Sequence, residues 1–299
     1  MKDKIVRSPL FYVGDKHKLM CQIKPKFPSR IGRLIEPFVG GGSVFMNVDA
    51  DDFLLNDFNR SVILLHRMLC SYSGSKEDFF REIFALIRKY GLSSRFLYAQ
   101  ENNCKTGYQG DCKVLNREAY NRMKFDFNSG GKKDIILLYL LIIYGFNHMI
   151  RFNKKGEFNL PVGNLDFNEN AYIALNDYFA QTERKHPRWY SKDFTSFLAE
   201  IDFGKDDLVY LDPPYLISSS EYNKMWDEEC ERTLIREMDR LDAMGIRFAV
   251  SNAITYRGKE NRIFGEWAKK YNIHPIRSNY ISYWDNSRKD SGEVLVTNY

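Results

Sequence analysis

Short apolar runs, each ending in a turn-forming or acidic residue, recur at 34–38, 53–55, 208–211 and 248–250, and helical stretches separate them. Apolar runs of strand length alternating with helical periodicity predict an α/β fold with a largely parallel sheet, because parallel strands are covered by helices on both faces. Two strand candidates lie before residue 56 and two after residue 207. A long middle segment, from about 72 to 188, therefore interrupts the sheet and predicts an inserted domain.

The insert has a different texture. Residues 79–90 and 117–127 place apolar side chains at helical spacing, and 135–146 is apolar almost throughout, so the segment reads as mainly helical. Next, Met149-Ile150-Arg151-Phe152-Asn153 and Glu157-Phe158-Asn159-Leu160-Pro161 flank Lys154-Lys155-Gly156, a pattern that predicts a β-hairpin around a glycine turn. The run at 135–146 is too short to cross a bilayer, which takes about 20 apolar residues. The opening residues MKDKIVRSPLFYVGDKHKL contain no continuous apolar stretch, and no targeting segment is expected. No internal repeat or low-complexity segment is visible.

Composition adds two constraints. With 44% hydrophobic and 28% charged residues the chain can bury a sizeable core, which excludes the disordered class. A net charge of +5 permits a polyanionic partner without demanding one, but the excess is local: between Arg81 and Lys133 stand eleven Lys or Arg against five Asp or Glu. That places a candidate nucleic-acid surface on the insert. Five cysteines (Cys21, Cys70, Cys104, Cys112 and Cys230) form no C-x-x-C pair and leave an odd count, which argues against a zinc site and a disulfide framework and fits a reducing cytosol.

Three peptides carry candidate chemistry. Asp212-Pro213-Pro214-Tyr215 directly follows the apolar run 208–211, and in open α/β sheets ligands bind at the carboxyl ends of strands. An aromatic amino group has its lone pair delocalised into the ring, so it reacts as a nucleophile only when acceptors draw its hydrogens aside. Ionised Asp is such an acceptor. The Pro213 carbonyl, on a backbone of fixed φ, offers a second, and Tyr215 a flat stacking face. Taken alone, the tetrapeptide equally well stops a strand.

The second peptide, Glu36-Pro37-Phe38-Val39-Gly40-Gly41-Gly42-Ser43, runs from a strand end through three glycines into a helical start capped by Ser43 or a neighbour. Glycines allow close backbone approach to a ligand, although a glycine turn without a ligand would read the same way. Phe45 stands where the third glycine of a dinucleotide fingerprint belongs, so a nicotinamide oxidoreductase is disfavoured. The third peptide is Asn56-Asp57. Asp57 lies seventeen positions beyond Gly40, close to the spacing at which an acidic residue meets ribose hydroxyls; the other reading is a helix cap.

In this order, and together with Tyr12-Val13-Gly14-Asp15-Lys16, Gly145-Phe146-Asn147-His148-Met149-Ile150-Arg151-Phe152-Asn153, Tyr222-Asn223-Lys224, Ser251-Asn252 and Gly258-Lys259-Glu260-Asn261, these segments resemble the Dam-type (D12 class) DNA adenine-N6 methyltransferases, the T-even phage members most of all. The resemblance covers nearly the whole chain. It implies a Rossmann-like S-adenosylmethionine-dependent methyltransferase core with a mostly parallel seven-stranded sheet, residues 1–70 and 188–299. It also implies an inserted, mainly helical DNA-recognition domain carrying a β-hairpin, residues 71–187.

By that resemblance Tyr12, Lys16, Glu36, Pro37, Phe38, Gly40, Gly42, Ser43, Asp57 and Asp212 surround S-adenosylmethionine. Asp212, Pro213, Pro214 and Tyr215 act on an adenine flipped from double-stranded DNA. Phe146, Asn147, Met149, Arg151, Asn153 and Pro161 face the DNA, with Arg151 on a guanine edge. No metal, no membrane, a monomer and a cytoplasmic location in a bacterium, with a phage-encoded origin also compatible, complete the expectation. Phe11 stands where bacterial members carry a lysine, and Asn164-Leu165 where phage members carry basic residues. The implied target is GATC or a site sharing its inner bases. Two other readings remain at this level: a methyltransferase of the same fold acting on RNA or a protein amide, and a basic nucleic-acid-binding protein without catalysis.

Overall fold

Among the described residues eight strands build one sheet: β1 (Arg33–Glu36), β2 (Asp52–Asn56), β3 (Arg188–Tyr190), β4 (Leu208–Leu211), β5 (Arg247–Tyr256), β6 (Lys259–Glu260), β7 (Asn272–Pro275) and β8 (Ser291–Thr297). The computed structural model describes residues 4–103, 110–218, 226–277 and 291–299. Tyr222-Asn223-Lys224 and Cys104 lie outside the described residues.

Along the main path the order is β3-β2-β1-β4-β5-β8-β7, with β6 a short hairpin partner of β5. β1 runs parallel to β2 and β4, and β4 parallel to β5, while β8 inserts antiparallel between β5 and β7. This is a mostly parallel, Rossmann-like arrangement of seven strands with one reversed member. All four strand candidates are strands. β1 ends at Glu36 rather than reaching Phe38, because Pro37 has no N–H to continue a ladder.

The chain packs as two units: Met1–His17 with Gly40–Met46 and Asn59–Trp189, and Lys18–Val39 with Asn47–Phe58 and Tyr190–Tyr299. In the second unit, Ile35, Leu54, Val209, Leu211, Phe248, Val250, Val294 and Val296 form one buried face of the sheet. Helices Phe194–Ala199, Glu228–Ala243 and Arg262–Ala268 cover it with Phe197, Leu234, Met238, Phe264 and Trp267. Strand alternation turns Leu34, Glu36, Leu208, Tyr210, Ser251 and Glu293 to the other face.

The first unit is helical, built mainly from Arg60–Ser71, Lys76–Tyr90, Cys112–Ser129, Ile135–Ile143 and Glu169–Lys185. Ile135–Ile143 is buried from Leu137 onward, and three of the other helices pack around it, which explains an apolar run without amphipathic periodicity. Asp134 caps this helix, accepting from Leu137 N at 2.8 Å.

Candidate active site and nucleic-acid interface

The strand order reverses between β1 and β4: from β1 the chain proceeds outward to β2, and from β4 to β5. Such a switch point opens a crevice at the strands' carboxyl ends. The β1–β2, β1–β4 and β4–β5 registers pair Glu36 with Leu55, Ile35 with Val209 and Leu211 with Val250. Continued beyond the strand ends, they bring Asp57, Phe38, Asp212 and Ser251 level with one another. Three separate peptides therefore converge at one edge of the sheet.

Asp212, Pro214 and Tyr215 are half-buried and Pro213 is buried. The Tyr215 hydroxyl lies 3.3 Å from Asp212 Oδ1 and 3.0 Å from Glu293 Oε1. Beneath them Tyr210 is buried, its hydroxyl 2.8 Å from Ser251 Oγ. Burial raises the Tyr210 pKa well above its ordinary value; the charge of Asp212 adds to this, the Ser251 hydrogen bond opposes it, and Glu36 and Glu293 raise it further. Asp212 and Glu36 thus place negative charge near one neutral phenol on the same sheet face, an environment that favours a cation.

Asn56 sets the neighbouring end of β2. Its fully buried amide donates to Pro37 O at 2.9 Å and Lys192 O at 3.0 Å, and accepts from Lys192 N at 2.9 Å. Three bonds hold the turn beyond β1 and leave Asp57 half-buried at the strand's end. Phe38 packs against Phe194 and Trp226, with centroids 5.2 and 5.8 Å away.

Behind Trp226 lies a network that reading the sequence did not reveal. Glu231, fully buried, accepts from Asn252 Nδ2 at 2.9 Å, Asn261 Nδ2 at 2.8 Å and Trp226 Nε1 at 2.6 Å. Its partners lie 21 and 30 positions away in the chain for the two asparagines, beyond the reach of local pattern. The motifs Ser251-Asn252 and Asn261 thereby acquire a structural role: they hold β5 and the helix Arg262–Ala268, which Asn261 caps through Phe264 N.

In the other unit the glycine turn lies against Tyr12. A Cβ at Gly41 would come within 2.8 Å of Tyr12 Cβ; at Gly42, where φ is +80°, it would lie 2.3 Å from Phe45. The requirement for glycine is therefore already present in the protein's own packing. Ser43 is the first residue of the helix Ser43–Asn47 rather than its cap, and Gly42 O accepts from Met46 N at 3.2 Å. At the far end, buried Lys185 donates to Phe45 O at 2.5 Å and Met46 O at 3.1 Å, satisfying terminal carbonyls. His66 contacts Gly40 O at 2.9 Å and stacks on Trp189 at 4.4 Å. Lys16 is buried and donates to Gly14 O at 3.3 Å, while Tyr12 and Gly40 are half-buried.

The hairpin forms as isolated bridges, Phe152 to Phe158 and Gly145 to Val162, rather than as two strands. Backbone bonds cross it from Asn153 N to Glu157 O at 2.8 Å and from Asn159 N to Arg151 O at 3.2 Å, and side chains add to them. Asn128, on Cys112–Ser129, exchanges two bonds with the backbone of Phe158: its Nδ2 donates to Phe158 O at 3.0 Å, and its Oδ1 accepts from Phe158 N at 2.9 Å. Asn153 builds the turn, accepting from Lys155 N and Glu157 N and donating to Glu157 Oε2. Gly156 takes φ +69° at the tip.

Arg151 donates from Nε and Nη2 to Asn159 Oδ1 and O, both at 2.9 Å. Lys124, below it, has its pKa lowered by burial and by the Arg151 charge. Phe146 is 46% exposed, Asn147 and Pro161 are exposed, and Met149 is half-buried. Asn147 and His148 both take φ +52° and Phe11, whose ring lies 5.1 Å from His148, takes φ +47°. Left-handed backbone at three non-glycine residues marks a strained corner, a feature that gathers at functional sites. Among the described residues no group of three or more His, Cys, Asp or Glu is placed to hold a metal ion, and no described helix is long and apolar enough to cross a membrane.

A reversed-member parallel sheet with a carboxylate-lined switch point defines a Rossmann-like methyltransferase class. The family model described as D12 class N6 adenine-specific DNA methyltransferase matches residues 12–280, and the chain belongs to that family. It is 35% identical to the type II methyltransferase M.FokI of Planomicrobium okeanokoites over 98% of this chain and 43% of that protein. It is 32% identical to the modification methylase StsI of Streptococcus sanguinis over 99% and 43%. The DNA adenine methylase of Escherichia coli K12 is 26% identical over 97% of this chain and 94% of its own length. The chain spans less than half the length of the first two relatives.

Proposed function

We propose that the chain transfers a methyl group from S-adenosylmethionine to the exocyclic N6 of an adenine turned out of double-stranded DNA. One observation carries this reading: a half-exposed Asp212 at the carboxyl end of β4, beside the switch point, with the Tyr215 hydroxyl against it. Asp212 accepts the amino hydrogens and with them frees the nitrogen lone pair. The Pro213 carbonyl is the second acceptor, and the Tyr215 ring is the surface on which the base stacks. Asp212 would also take the proton that N6 gives up on methylation and pass it to solvent.

The donor set suits the cofactor. Asp212 and Glu36 place negative charge beside Tyr210, which favours a sulfonium cation. Asp57, half-exposed beside β1, suits ribose hydroxyls. S-adenosylmethionine, when bound, supplies the electrophilic methyl group. Pro37 and Phe38 are assigned to the same ligand, while Tyr12, Lys16, Gly40, Gly42 and Ser43 are cofactor residues by the family resemblance alone. Phe146, Asn147, Met149, Arg151, Asn153 and Pro161 are assigned to the DNA, at GATC or a site sharing its inner bases.

We assign residues 1–70 and 188–299 to catalysis and 71–187 to target recognition. The working form is a monomer in the bacterial cytoplasm.

The test is transfer of labelled methyl from S-adenosylmethionine to duplex DNA, RNA and protein in parallel. Label is expected in DNA alone, at N6 of adenine. Asp212→Ala is expected to lower the rate at least about a hundredfold, the scale of losing one transition-state hydrogen-bonding partner, with an unchanged circular dichroism spectrum. Label only in RNA or protein, or a wild-type rate for Asp212→Ala, contradicts the proposal.

A further inference from the structure

We propose that Glu293 is a positioning residue for methyl transfer, acting on Asp212 through the hydroxyl of Tyr215. The inference rests on the reading of Asp212 as the acceptor of the substrate's amino hydrogens. Glu293 stands on β8, 78 positions from Tyr215, and is buried. Its backbone is fixed independently of its side chain: β8 pairs Glu293 with Ala253 of β5, and Ile276 N donates to Glu293 O at 2.9 Å.

The Tyr215 hydroxyl has one hydrogen and two carboxylates within reach, Glu293 Oε1 at 3.0 Å and Asp212 Oδ1 at 3.3 Å. The shorter contact takes the larger share of that hydrogen. Two consequences follow. The ring of Tyr215 is tethered at its far end to the sheet, so its face keeps one plane when a base stacks on it. Asp212 is also spared a full-strength hydrogen bond from the phenol, and it retains acceptor strength for the amino hydrogens. Without Glu293 the phenol turns its hydrogen wholly to Asp212 and competes with the substrate there, while the ring loses its tether.

Glu293→Gln keeps an acceptor oxygen and the side-chain shape. Glu293→Ala removes the acceptor, and Tyr215→Phe removes the hydroxyl while leaving the ring. Steady-state methylation of a duplex oligonucleotide by the full chain separates these effects. Expected are kcat losses of about tenfold for Glu293→Ala and for Tyr215→Phe, the scale of a hydrogen bond to a charged group, with KM for S-adenosylmethionine unchanged. Glu293→Gln is expected to stay within about twofold of wild type on the same scale. Because Glu293 acts through the hydroxyl, Glu293→Ala added to Tyr215→Phe is expected to cost nothing further.

A full second loss in that background overturns the proposal, as does a Glu293→Gln variant as slow as Glu293→Ala. Asp212→Ala belongs in the same series. If it runs at the wild-type rate, the acceptor reading itself fails. If it is inactive while Glu293→Ala runs at the wild-type rate, only the role of Glu293 fails.

Discussion

Nε2 of His66 lies 2.9 Å from the carbonyl oxygen of Gly40. A carbonyl can only accept, so the ring carries its proton on Nε2, and Nδ1 accepts from the Tyr178 hydroxyl at 2.8 Å. Burial lowers the His66 pKa from 6.5 to about 4, against the opposing pull of the Gly40 carbonyl. In the unfolded chain the same ring protonates near pH 6.5, so below that pH the unfolded state binds more protons. Stability is complete above about pH 6.5 and falls as pH drops towards 4, by about 3 kcal/mol in all. Urea unfolding at several pH values is expected to show this slope in the wild type and to lose it in His66→Gln. An identical slope in both proteins would place its origin elsewhere.

Gly42 and Gly14 separate two reasons for glycine. Both have positive φ, +80° and +84°, but a Cβ at Gly14 meets nothing within 4 Å, whereas at Gly42 it meets Phe45 at 2.3 Å and His66 at 3.1 Å. Gly14→Ala is therefore expected to cost about 1 kcal/mol from backbone conformation alone, and Gly42→Ala at least about 3 kcal/mol, because packed rings must move as well. Comparing the two melting temperatures checks this. Equal shifts would mean that Phe45 relaxes freely.

Glu231 shows what one buried carboxylate organises. Truncation to Ala strands the Asn252, Asn261 and Trp226 donors, each of which now ends on it. Buried unsatisfied donors cost about 1–3 kcal/mol apiece, so Glu231→Ala is expected to lose about 3 kcal/mol or more and to change the near-ultraviolet signal of Trp226, whose ring contacts Phe38. A variant as stable as the wild type would show that the network is dispensable.

How far each feature can be read from sequence follows from where its cause lies. β4 was readable because Leu208–Leu211 is buried at every position and ends in Asp-Pro-Pro-Tyr, a local signal for a covered strand and a crevice. β7 was not: three of its four residues are exposed, and its strand state comes from β8 alongside it. Likewise Asp212 and Asp57 could be picked out from their positions after apolar runs, whereas Glu293, Glu231 and His66 have partners 78, 21 and 26 positions distant. Alternation predicts the hairpin, yet part of what holds it is Asn128, on another element.

Arg151 offers the sharpest test of the nucleic-acid interface. Its bonds to Asn159 hold the guanidinium in one orientation with two of five N–H groups engaged, so the others can address a planar acceptor pair without a further loss of side-chain entropy. If that acceptor is a guanine edge, Arg151→Ala is expected to lower discrimination at one base pair by about 1–3 kcal/mol, with little change in the salt dependence of binding. Lys155, exposed at the hairpin tip, has no such orientation, and Lys155→Ala is expected to weaken every duplex alike and to reduce the slope of log K against log salt by about 0.9 for one lost phosphate contact. Competition between single-base-substituted duplexes at two salt concentrations distinguishes the two effects. Should Arg151→Ala weaken all duplexes equally and lower the slope, Arg151 meets phosphate, and sequence discrimination must come from the apolar residues beside it.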